Sequence, residues 1–272
     1  GKPGRQAAQE WIPRLRAEQG VDFVIVNGEN AAGGIGITPE IAAALFSQAG
    51  ADVVTLGNHA WGKREIYPAL DEEPRLLRPA NYPEGAPGRG YGFFPSPAGP
   101  VGVVALQGRT FMDPVDDPFR AADAILERLR AQTQVVWIDF HAEATSEKQA
   151  IGWYVDGRAS ALIGTHTHVQ TADERILPGG TAYLTDVGMT GPIDSVIGMR
   201  RELILSRFTS LLPVRFEVAE GEAQVCGVLV DVDPATGHAT AIRRLQVPAT
   251  AELSAPPARP ASEPEENQMR SR

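Results

Sequence analysis

A single cysteine, Cys226, occurs in the 272 residues, which excludes an internal disulfide and fits a reducing compartment. Cys226 itself reads as a small buried apolar residue. No run of about 18 consecutive apolar residues is present, so no membrane-spanning helix and no membrane association are expected. Positive charge is also scarce: 25 Lys and Arg face 34 Asp and Glu, a formal net charge of -9. A protein that coats nucleic-acid backbone needs a surplus of cations to displace counterions, so no stable nucleic-acid complex is expected. A small phosphate ester held at a metal site stays open. The chain opens on Gly1 without a methionine, so the lack of a leader sequence carries little weight.

What is present is ordinary for a globular protein, with 43% hydrophobic and 22% charged residues. The length suits one large domain, expected over 1–249, followed by an Ala/Pro/Ser/Glu-rich tail over 250–272 that reads as disordered. Residues 5–20 place Ala8, Trp11, Ile12 and Leu15 at helical spacing and end on a glycine. Residues 21–26, a short apolar run before Asn27-Gly28, predict a strand buried on both faces. The alternation continues with helices over 38–48, 63–70 and 117–131, and strands over 52–56, 101–106, 135–140, 161–164 and 182–185. That order implies a layered α/β domain. After about residue 211 hairpin signals take over, with strands expected over 214–218, 223–232 and 238–247, which makes a second, antiparallel β layer.

The chemistry lies where polar residues follow buried strands. Glu29-Asn30, Asn58-His59, His141 and His166/His168 each come directly after the carboxyl end of a predicted strand, where open α/β sheets place their ligands. Four of the five histidines are in this set. In Thr165-His166-Thr167-His168 one residue separates the histidines, so on an extended segment both imidazoles point the same way, toward neighbouring ions. Imidazoles, one carboxylate and amide oxygens form a mixed donor set that suits iron, manganese or zinc, without the thiolates of an iron–sulfur cluster. Two ions roughly 3.5–4 Å apart can clamp a phosphoryl group and supply a hydroxide. Glu29, the lone carboxylate of the set, is the natural bridge. Asn58 is assigned to metal, and His59, whose side chain diverges from its neighbour, to the substrate as the acid that protonates the leaving oxygen.

Other features are expected to be structural. Gly33-Gly34-Ile35-Gly36 lacks the spacing of a dinucleotide or P-loop motif and gives the backbone room to turn. Asp139 and Glu143, flanking His141, are expected to support a ligand or lie at the surface rather than coordinate. His238 is expected at the surface, and Tyr91, Phe93 and Phe111 in the core.

These residues resemble the calcineurin-like metallophosphoesterases, whose motifs run Asp, Gly-Asp, Gly-Asn-His, His and Gly-His-x-His. The counterparts are Asn27-Gly28-Glu29-Asn30, Gly57-Asn58-His59, Asp139-Phe140-His141-Ala142-Glu143 and Gly164-Thr165-His166-Thr167-His168. Glu-Asn in place of the usual Asp, with GKPGR at 1–5, DFHAEATSEK at 139–148 and GTHTHVQTAD at 164–173, is similar to the bacterial YmdB-like branch from residue 1 to about 247. The resemblance implies a four-layer α/β/β/α sandwich and two divalent or trivalent transition-metal ions, iron or manganese. It implies a phosphodiesterase acting on cyclic nucleotides, with 2′,3′-cyclic mononucleotides favoured, a cytoplasmic location and a homo-oligomer. Glu29 would bridge, with Asn58, His141 and His166 on one ion and Asn30 and His168 on the other, and His59 would be the acid. Family members also carry a first strand ending in Gly-Asp just before the position of Gly1, and its Asp ligates the second ion; that strand is expected to precede the residues shown.

Two rivals compete with this reading. A regulatory protein could keep the fold and bind a nucleotide or phosphate without turnover, against which the full set of ligands weighs. A β/α-barrel amidohydrolase also uses a His-x-His pair, but after its first strand, and the late hairpins do not continue a barrel.

Overall fold

The computed structural model describes residues 1–251; of the expected tail only Thr250 and Ala251 are described, and 252–272 lie outside the described residues. Helix α1 (Lys2–Gln19) starts earlier than its apolar spacing suggests, because Pro3 falls in the first turn, where no amide hydrogen is needed. It buries Ala7, Trp11 and Ile12 and stops at Gly20 in the left-handed region. Strand β1 (Ile25–Asn27) is shorter than the apolar run before it. Just before it, Val24 O accepts from Asp52 N and Val53 N, and the Asp52 carboxylate accepts from Val24 N at 2.7 Å and from Arg16.

The helix expected over 38–48 divides into α2 (Pro39–Ala44), capped by Thr38, and one π-helical turn (Leu45–Ala49) that ends at Gly50. Then follow β2 (Val53–Thr55), α3 (Ile66–Glu72), β3 (Leu76–Leu77), β4 (Tyr91–Phe94), β5 (Val101–Gln107), α4 (Pro118–Arg130), β6 (Val136–His141), α5 (Thr145–Val155) and β7 (Ala161–Thr165). The remainder is β8 (Arg175–Ile176), β9 (Ala182–Leu184), β10 (Gly191–Pro192), α6 (Arg201–Ser210), β11 (Ala223–Val232) and β12 (Ala239–Pro248).

Residues 214–218 are a correction, since they form no strand; Val218 makes one bridge to Met199 and Phe216 is exposed. Helices α5 and α6 escape the pattern for different reasons: α5 buries a lysine on its core face, and α6 buries only Ile204.

Three sheets form the two β layers. One is β4-β5-β6-β7-β9-β8, parallel except at its two edge pairings. The parallel sheet β1-β2-β3 and the antiparallel sheet β10-β11-β12 pack against its inner face. Val53, Leu77, Val101, Val103 and Ala105 fill the first contact, and Ala161, Ile163, Leu184 and Ala239 the second. Outside, α4 and α5 cover the large sheet through Ile125, Leu126, Leu129 and Ile151, while α1, α2 with its π-helical turn, and α3 cover the first small sheet through Ile12, Ala42, Leu45, Ile66 and Leu70. Helix α1 also reaches the antiparallel sheet through Trp11 onto Val225 and Leu245. The architecture is the four-layer α/β/β/α sandwich.

Strand alternation then decides what meets at the end of the inner layer. Val136, Ile138 and Phe140 face the helices, so Trp137, Asp139 and His141 face the opposing sheet. Asp139 and His141 stand in register with Ile163 and Thr165.

Candidate metal centre

Each candidate ligand lies where a strand of the inner layer ends. Glu29 and Asn30 follow β1, Asn58 and His59 follow β2, His141 is the last residue of β6, and His166 and His168 follow β7. The structure brings all seven together in two adjoining groups.

The first group is built on two buried side chains, Glu29 and His141, with Asn58 and His166 half-buried. His141 Nε2 lies 2.9 Å from Glu29 Oε2, 2.9 Å from Asn58 Oδ1 and 3.0 Å from His166 Nδ1. Ligand atoms of Glu29, His141 and His166 all fall within 4.8 Å of one another. One imidazole nitrogen offers one proton, so at most one of these three contacts is a hydrogen bond donated by it. A cation, by contrast, is shared by every lone pair at once. The carboxylate, amide oxygen and imidazoles of this cluster therefore fit a transition-metal ion.

Asn30 centres the second group. Its amide faces His168 Nε2 at 3.1 Å on one side and His59 Nδ1 at 3.1 Å on the other. Glu29 joins the groups, because its second oxygen accepts from His59 N at 2.7 Å. His59 is open to solvent, with 39% of its side chain exposed.

Electrostatics agree with lone pairs presented inward. Burial pushes the Glu29 carboxyl up, but the His141 imidazole and the His59 amide outweigh it and hold it below the usual range. Burial, with the neighbouring His141, lowers His166 to about 4, so this imidazole stays neutral.

Support comes from beneath. Thr165 Oγ1 donates to Asp139 Oδ1 at 2.7 Å, so it accepts from His141 Nδ1 at 3.0 Å. That bond puts a proton on Nδ1 and turns Nε2 toward Glu29, Asn58 and His166. Asp139 also accepts from Asn27 Nδ2 at 3.0 Å and from Thr55. Complete burial raises its pKa against those bonds. Asp139 thus supports a ligand without joining the cluster, while half-exposed Glu143 touches His166 Nε2 at 3.1 Å. Gly57 makes room: a Cβ there would clash with the Nε2 edge of the His141 ring. Gly57→Ala is expected to displace that imidazole and reduce bound metal about 10- to 100-fold in affinity, as loss of a ligand's support does, read by competition with a chelator.

The extended geometry expected for residues 165–168 is corrected. His166 has φ 100° and His168 φ 67°, so the segment bends, and the two imidazoles enter different groups. Phe111 is a second correction, at 88% exposed, whereas Tyr91 and Phe93 pack against the core as expected. Cys226 is half-buried, with its thiol pushed up to about 11 by burial, and His238 is exposed.

Sequence reasoning missed Thr165, Asp186, Lys148 and Gln107. Gln107 ends β5 in register with His141, fully buried, and accepts from the Tyr82 hydroxyl at 2.9 Å. Asp186 and Gln107 follow or end strands, so the rule that found the histidines also reaches them; Lys148 gives no such signal. No helix among the described residues is long and apolar enough to cross a membrane.

A family model described as YmdB-like protein matches residues 1–245. A Bacillus subtilis protein named 2′,3′-cyclic-nucleotide 2′-phosphodiesterase is 53% identical over 91% of this chain and 93% of its own. The solved structure of a novel phosphatase from Mycoplasma pneumoniae superposes with a TM-score of 0.85 at 33% identity, covering 91% of this chain and 90% of that one. The solved structure of a Thermus thermophilus protein, described as hypothetical, gives a TM-score of 0.84 at 44% identity, covering 90% and 94%.

Proposed function

The chain belongs to the YmdB-like protein family, and from that premise we propose that it is a phosphodiesterase that hydrolyses cyclic nucleotides, with 2′,3′-cyclic mononucleotides as its substrates. The observation that carries this reading is the single His141 nitrogen within 3.0 Å of three other lone-pair atoms, at the mouth of a phosphatase fold. Glu29, Asn58, His141 and His166 would hold one ion of iron or manganese, with Asn30 and His168 on a second and Glu29 between them. Such ions supply Lewis-acid charge and an acidified water to phosphoryl transfer.

The chain's own groups do the rest. His59 has its Nδ1 tied to Asn30 Oδ1 and its backbone N–H tied to Glu29, which fixes the ring. Its Nε2 is left for the substrate, where it donates a proton to the ester oxygen that leaves phosphorus. Water contributes the oxygen that phosphorus gains, and one P–O bond of the cyclic diester is lost. Neutral His166 and ionised Glu29 keep the cluster loaded with lone pairs rather than protons.

Purified protein is expected to hydrolyse 2′,3′-cyclic AMP, to lose that activity with a chelator and to regain it with manganese or iron. Binding of the nucleotide without turnover under any of these metals would instead make the protein a regulatory nucleotide binder.

A cytoplasmic location is consistent with the single cysteine. We also assign a homo-oligomer. Leu205, Phe208, Leu211, Leu212 and Phe216 stand exposed along α6 and the segment after it. Arg200 pairs with Glu202 and Glu217, and Arg201 with Glu202, so the rim of the patch carries both charge signs, which a self-complementary two-fold contact can pair. Phe208→Glu is expected to reduce the mass measured by light scattering to that of one chain; an unchanged mass would remove this face from the interface.

A further inference from the structure

One pair of buried charges that catalysis does not use lies under the His-x-His segment. Lys148 on α5 and Asp186, just after β9, are each 1% exposed, and Lys148 Nζ donates to Asp186 Oδ2 at 2.7 Å. The same carboxylate oxygen accepts from Thr167 N at 3.1 Å and from Thr167 Oγ1 at 2.7 Å. Its other oxygen accepts from Gly188 N at 2.9 Å, and its backbone amide donates to Thr171 Oγ1 at 2.9 Å, so Asp186 is itself fixed. Gly164 lets the neighbouring strand approach: a Cβ there would overlap the Thr185 carbonyl and would also lie 3.1 Å from the Lys148 Cδ.

Thr167 is the residue between the two histidines, and both histidines have positive φ, a conformation that side-chain-bearing residues avoid. Two strained residues flanking one doubly hydrogen-bonded residue describe a segment bent around an anchor. The pattern also repeats two residues earlier, where Thr165 is held by the buried Asp139. In Thr165-His166-Thr167-His168, then, each threonine is tied to a buried aspartate while each histidine reaches the site. A buried ion pair is weak evidence for stability, since desolvation offsets its attraction, so its worth has to be sought elsewhere.

We propose that Asp186, held by Lys148, is a positioning residue that sets His166 and His168 in their metal-binding geometry by gripping Thr167. The inference rests on the reading that these histidines hold metal ions. Asp186 touches neither histidine ring. Its effect passes through the hydroxyl and amide of Thr167.

Asp186→Asn would strand the Lys148 ammonium in the interior, so the test uses Thr167 instead. Thr167→Val keeps shape and the backbone amide but removes the hydroxyl, and Thr167→Ser restores it. Manganese affinity is measured for each full-length variant by competition with a chelator, beside the urea midpoint of the metal-stripped protein. The valine variant is expected to bind manganese about 10- to 100-fold more weakly per folded molecule, and the serine variant within about threefold of the parent. A lower urea midpoint in the valine variant with unchanged affinity would assign the pair to folding alone and overturn the proposal. Parent protein that binds no manganese, iron or zinc would overturn the metal reading and this inference together.

Discussion

His59→Ala is expected to slow hydrolysis of 2′,3′-cyclic AMP by about 10²- to 10⁴-fold while leaving bound metal unchanged. The reason is the leaving group. A ribose alkoxide is a strong base and needs a proton as its bond to phosphorus breaks, and His59 has 39% of its side chain exposed and an Nε2 with no partner among the described residues. A p-nitrophenyl diester releases a weakly basic phenolate that needs no such proton. The same substitution is therefore expected to cost bis-p-nitrophenyl phosphate hydrolysis no more than about tenfold. Equal losses on both substrates would mean that His59 binds the phosphoryl group rather than protonating the leaving oxygen.

The second large effect concerns charge. Glu29→Gln keeps the shape of a side chain that is 2% exposed but removes the one carboxylate shared by both groups. Metal charge stabilisation contributes several kcal/mol to phosphoryl transfer, and about 4 kcal/mol corresponds to about 10³-fold in rate. The variant is expected to hold less than half the parent's metal and to lose at least that factor in turnover, with its thermal midpoint in chelator showing that it is folded. Near-parent metal content and rate would remove Glu29 from its place between the ions.

Much of the site was legible because the rule behind it is topological. A polar residue at the end of a short strand of the inner layer has few places to be: Asn58 and His166 follow buried strands, His141 ends one, and Glu29 follows β1, which is half-buried rather than buried on both faces as its apolar run suggested. The layered architecture was legible for a related reason, since strands buried on both faces read as apolar runs. Residues 223–232, with turn signals on both sides, match β11 at both ends.

What the sequence hid was held by contacts distant in the chain or by backbone that side-chain patterns do not report. Helix α5 turns a lysine inward, which spoils its apolar stripe, and the reason is Asp186, 38 positions away. Helix α6 presents apolar groups to solvent, so its periodicity carries no core face. The bend at His166 and His168 came from positive φ at non-glycine residues, a strain that no propensity announces and that tertiary anchoring sustains. Phe111, also at positive φ, stands exposed where an aromatic residue alone argued for the core.

The most direct test of the central claim is a crystal structure of the protein loaded with manganese, with anomalous diffraction recorded at the manganese edge. The account predicts a strong anomalous peak enclosed by Glu29, Asn58, His141 and His166, with a second beside Asn30 and His168. Manganese bound elsewhere, or no peak between these side chains in fully loaded protein, would contradict it.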